Sequence, residues 1–80
     1  MITAERLRLI TTMGPGALAQ VLAHSGYTGC SFKRARFLGI TNGGDFCYIV
    51  TYYDESGTGE EEGKVFVRYN PAEDQLTADF

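Results

Sequence analysis

Apolar positions recur along this chain with two different periods, and the change from one to the other divides it. Between Thr3 and His24 the spacing is helical. Leu7, Ile10 and Met13 fall at i, i+3 and i+6, and Ala17, Leu18, Val21 and Leu22 repeat the three-and-four spacing of one helix face. Thr3 stands where an N-cap belongs, with Glu5 in the first turn to complement the helix dipole. Gly14-Pro15-Gly16 separates the two runs. Pro15 suits the first position of a second helix, where its missing N–H would have had no partner, and Gly26 suits a left-handed stop. Both predicted helices are too short to persist alone in water, so both must dock on something.

From Phe32 onward the period is two. The stretch Phe32 to Glu55, FKRARFLGITNGGDFCYIVTYYDE, holds two runs rich in aromatic and β-branched residues around Asn42-Gly43-Gly44, the signature of an antiparallel hairpin. With Asn42-Gly43 as a type I′ turn, Phe37 pairs with Tyr48, Ala35 with Val50 and Gly39 with Phe46, all on one face. Arg34, Arg36, Leu38, Cys47, Ile49 and Thr51 take the other. Including Gly44 in a three-residue turn would slip this pairing. Lys64 to Asn70 alternates as a third strand, stopped by Asn70-Pro71, and Ser56 to Gly63 reads as an exposed acidic connection. Leu76 and Phe80 in the tail fit either a short edge strand or a segment draped over the core. The expected fold is α+β: one domain over residues 1–80, with a helical part at 1–26 and a sheet at 31–80. Two short N-terminal helices pack on one face of a three- to four-stranded antiparallel β-meander.

Composition sharpens this picture in two places. At 80 residues and 44% hydrophobic the chain is that of a folded but thinly stabilised domain, burying only about 60% of its unfolded surface. Its net charge of −3 argues against a general polyanion binder while leaving room for a local basic patch. Cys30 and Cys47 are too few for a disulfide framework, and no charged n-region, apolar core and cleavage site precede them, so a reducing cytoplasm is the expected setting. No apolar run approaches the ~20 residues that cross a bilayer. No membrane association is expected.

Candidate chemistry is sparse. His24 with Cys30 is the single nucleophile-and-base combination, and it requires the intervening loop to fold back. A small buried hydrophobe for Cys47 and a helix-end His24 are the plainer readings. Too few convergent ligands exist for zinc, and no metal, cofactor or catalytic residue is expected. The loop Ser25 to Ser31, SGYTGCS, offers backbone amides to an anion but lacks the strand, helix and lysine of a phosphate-binding loop. Residues 17–40 also have the outline of a helix-turn-helix, with Lys33, Arg34 and Arg36 on the second element and the hairpin as a wing. Gly39 and the Asn-Gly turn oppose it.

Two charged groups remain. In the predicted register Arg34, Arg36 and Arg68 gather on the sheet face away from the helices, beside Ile49, Phe66 and Tyr53. This is either a stacking-and-phosphate platform for single-stranded nucleic acid or a set of long stems covering apolar surface. Asp54, Glu55, Glu60, Glu61 and Glu62 put five carboxylates within nine residues, able to imitate a run of DNA phosphates or simply to keep a loop solvated.

Taken together, a compact acidic α+β chain with a charged run at Asp54 to Glu62, a broad aromatic strand and no catalytic constellation resembles the small phage-encoded anti-CRISPR proteins, particularly those acting on type I systems. The resemblance is one of kind over the whole chain. It implies a non-enzymatic, stoichiometric inhibitor in the cytoplasm of an infected host cell. Its partner would be a type I CRISPR surveillance complex (Cascade) or its Cas nuclease, with target-DNA binding or nuclease recruitment blocked. Partner contact is expected through Asp54, Glu55, Glu60, Glu61 and Glu62 or through Arg34, Arg36 and Arg68, with the acidic set favoured by the net charge. The alternative is a small nucleic-acid-binding regulator using the helix-turn-helix-like segment or the basic sheet face. Monomer and homodimer both stay open.

Overall fold

The computed structural model describes residues 2–80. Two helices, α1 (Ala4–Thr11) and α2 (Pro15–His24), precede four strands: β1 (Arg34–Ile40), β2 (Phe46–Tyr53), β3 (Glu60–Asn70) and β4 (Gln75–Asp79). The strands form one antiparallel sheet in the order β1-β2-β3-β4, the meander expected from the short connections. Thr3 caps α1 by accepting the Arg6 N–H at 3.1 Å. Pro15 opens α2, and Gly26 follows its end with φ at 102°.

One sheet face is covered. Ile10, Leu18 and Leu22 from the helices close with Tyr48, Val50, Val65, Val67, Phe46 and Ala78 into a single core. Met13 lies just past the end of α1 yet is buried, while Leu7 is partly exposed, so the helical stripe narrows to its Ile10 end. Tyr48 carries the junction between layers. Its buried hydroxyl accepts the Met13 N–H at 2.9 Å and donates to the Ile10 carbonyl, satisfying two backbone groups that the end of α1 would leave without partners.

Three expectations are corrected. The hairpin does not turn through two residues. The Thr41 N–H donates to the Asp45 carbonyl at 2.8 Å and the Gly44 N–H to the Thr41 carbonyl at 2.9 Å, with Gly44 alone at positive φ, 87°. The loop is therefore 42–44, a turn closed by a left-handed glycine. This shifts the partners nearest the turn, so Gly39 faces Cys47 rather than Phe46. A β-bulge at Leu38 then absorbs the extra residue, and Phe37 meets Tyr48 and Ala35 meets Val50 as the hydrophobic pattern requires. Gly39, at φ 156°, is the residue at the kink.

Strand β3 begins at Glu60, four residues before the predicted start, so Glu60, Glu61 and Glu62 are strand residues paired with Tyr53, Tyr52 and Thr51. The acidic connection shrinks to 54–59. Finally, residues 34–40 are a strand, so the second helix of a helix-turn-helix is absent and that reading falls. The tail resolves into β4, paired with β3 from Asn70–Gln75 to Phe66–Asp79.

Candidate functional site

Neither helix lies against the other face of the sheet. Helices of 8 and 10 residues reach about 12–15 Å, against a molecule 44 Å long, and both are spent on the Tyr48 side. Because directly opposite residues share a face, the open face can be read strand by strand. It carries Arg34 and Arg36 from β1, then Cys47, Ile49, Thr51 and Tyr53 from β2, and Glu60, Glu62, Lys64, Phe66 and Arg68 from β3. Thr77 and Asp79 complete it on β4.

The two charged groups of the sequence meet on this face. At one end Glu60 accepts from Lys33 and, at 2.9 Å, from Arg34, while the Lys33 ammonium lies 5.3 Å from the Tyr53 ring. These contacts hold the Glu60 carboxyl below the usual carboxylate range, Lys33 acting first and Arg34 second, and raise the Lys33 ammonium in return. At the other end Arg68 grips Asp45 through Nε at 2.9 Å and a second nitrogen at 3.2 Å, which lowers the Asp45 carboxyl. Between them Arg36 and Lys64 flank Ile49 across three strands, and neither forms an ion pair among the described residues.

The acidic set is divided. Asp54 is turned into its own loop, accepting from the Ser56 hydroxyl and backbone N–H and from the Gly59 N–H, and these bonds, the hydroxyl first, lower its carboxyl. Glu60 is held as described, and Glu61 lies on the helix-side face opposite Tyr52. Glu62 lies on the open face. Glu55 and Glu62 make no ion pair among the described residues.

The apolar members lie toward the turn. Leu38 and Ile40 are 50% and 59% exposed and, with Gly39, Thr41, Cys47, Lys64 and Phe66, line a hollow of about 320 Å³. Cys47 is only 6% exposed on a face with no element above it, so long side chains around it shield the strand backbone. The sequence placed Leu38 on this face; what it hid is the bulge that leaves Leu38 without a partner on β2. Its signal was the Leu38-Gly39 step inside a strand pattern.

His24 and Cys30 line different hollows. His24 lies in the groove between α2 and β4, with Leu9, Gln75 and Leu76, and Cys30 lies beside Phe32, Tyr52 and Phe80. Among the described residues no group of three or more His, Cys, Asp or Glu side chains is placed to hold a metal, and no helix is long and apolar enough to cross a membrane. Comparison with protein-family models, curated proteins and solved structures found no match to this chain. Fold and face together define a small α+β domain that offers one side of its sheet.

Proposed function

We propose that the protein is a non-catalytic binding module that acts by seating its open sheet face on a partner protein. Following the resemblance above, that partner is a type I CRISPR surveillance complex or its nuclease, inhibited stoichiometrically in the host cytoplasm. The observation that carries the reading is the uncovered face itself. A four-stranded sheet in a domain this small leaves one side without a covering layer, and that side mixes aromatic and aliphatic residues with charge, the composition of binding surfaces. Affinity then comes from apolar and arginine anchors, and charge sets approach rate and register.

The test is retention of purified type I effector complex and of its nuclease on the immobilised protein after nuclease treatment. Stoichiometric retention, weakened by Arg36→Gln, is the expected result; retention of neither subunit set rejects the target. A second reading is favoured by one feature. Five of the seven Lys and Arg residues, Lys33, Arg34, Arg36, Lys64 and Arg68, sit at the open face with Tyr53 and Phe66. That suits single-stranded nucleic acid, and a gel shift that fades steeply with salt would select it.

A further inference from the structure

We infer that the row Arg36, Ile49, Lys64 together with the neighbouring Leu38–Phe66 hollow is the anchor of the open face, and that its occupant is an acidic segment of a partner protein bearing a carboxylate two residues from an apolar side chain. The inference rests on the reading of the open face as the binding surface and adds the chemistry of what it takes.

Charge complementarity selects this occupant. The chain is acidic overall, yet its open face holds five of the seven basic residues against four of the ten acidic ones, Asp45, Glu60, Glu62 and Asp79. Asp45 neutralises Arg68, while the single carboxylate of Glu60 is shared between Lys33 and Arg34 and offsets one of the two. At the centre Arg36 and Lys64 stand one on each side of Ile49 without an ion pair among the described residues. With Glu62 lining the same hollow as Arg36 and Ile49, the four cations Lys33, Arg34, Arg36 and Lys64 face two carboxylates, Glu60 and Glu62, around this row. A carboxylate placed over Ile49 meets both cations.

Spacing supplies the second half. Along β2 the next residue on this face is Cys47, which lies with Phe66 in the floor of the hollow that Leu38 and Ile40 rim. Two residues of extended chain span about 6.6 Å, so a partner segment with its carboxylate over Ile49 carries its next same-side residue to the hollow. A second copy docked row on row would set Arg36 and Lys64 against their own counterparts.

The experiment titrates the isotope-labelled full chain with three probes and reads amide shifts. These are the capped peptide Asp-Ser-Leu-Ser-Asp, its neutral analogue Asn-Ser-Leu-Ser-Asn, and single-stranded oligo(dT). The acidic peptide should shift Arg36, Cys47, Ile49, Lys64 and Phe66 saturably, and the neutral analogue should bind about fivefold or more weaker. Arg36→Gln with Lys64→Gln should erase that difference, and Leu38→Ser should weaken both peptides; all three are exposed, so the fold survives these changes. Equal binding by the two peptides, shifts confined to the α2–β4 groove, or no binding overturns the inference. Tighter binding of oligo(dT) at the same residues overturns it in favour of nucleic acid. Effector complex retained equally by the Arg36→Gln, Lys64→Gln protein would sink this anchor alone, whereas peptide binding without effector retention would sink the proposed target alone.

Discussion

Tyr48 shows how one side chain joins two layers. It is the largest fully buried residue, and its ring packs against Phe37 at 5.4 Å while its hydroxyl satisfies Met13 and Ile10. Removing the hydroxyl keeps the packing but strands two backbone groups away from water. Tyr48→Phe should therefore cost about 1–3 kcal/mol in urea unfolding, and a loss below about 0.5 kcal/mol would show that water replaces the hydroxyl. The two cysteines differ at the same scale. Cys30 is half-buried and Cys47 is 6% exposed, so a thiol reagent should modify Cys30 first, and Cys47 should react at the rate of local opening. Equal rates would mean that the hollow over Cys47 is more open than the structure has it.

At the scale of elements the hairpin is the instructive case. The turn sequence offers Asn42, Gly43 and Gly44, and the chain spends its positive φ on the last of them, which lengthens the loop by one residue. Left uncorrected, that shift would carry Ala35 and Phe37 from the core to the open face. The bulge restores them by leaving Leu38 without a partner on β2. Gly44→Ala forces a side chain into a left-handed backbone and should lower stability by about 1–2 kcal/mol, whereas Gly43→Ala, whose φ is not positive, should cost less. A larger loss for Gly43→Ala than for Gly44→Ala would favour the two-residue turn.

For the whole molecule, the ends of the open face are locked by carboxylates. Asp45 and Glu60, with Asp54 in its own loop, are all held below the usual carboxylate range by hydrogen bonds to Arg68, Lys33 and Ser56 respectively. The unfolded chain takes up these protons at higher pH than the folded one. Their contribution is present in full above the ordinary carboxylate range, near pH 4, and is lost as the pH falls through the lower folded values. The urea midpoint should hold through neutral pH and drop below about pH 4, less so in Glu60→Gln; a midpoint unchanged down to pH 3 would mean that these pairs contribute nothing to the fold. High salt at neutral pH should weaken the exposed pairs in the same direction.

The sequence by itself determined the two helices, the strand-rich half and which residues of 34–37, 48–51 and 64–70 share a face. Those features follow from periods of 3.6 and 2 together with Thr3, Pro15 and Gly26 as local punctuation. Ala35, Phe37, Tyr48 and Val50 were legible as one face because only that set is apolar enough to be buried, and burial outweighs turn geometry. Tertiary structure alone decided the rest. Glu60 to Glu62 read as loop because acid and glycine disfavour strands, yet pairing with Tyr53, Tyr52 and Thr51 and the bridges from Lys33 and Arg34 to Glu60 extend β3 through them. Whether the acidic and basic groups were rival surfaces or one depended on residues 26 positions apart meeting across three strands. No local pattern encodes that meeting, because it is set by the register of strands whose partners lie elsewhere in the chain.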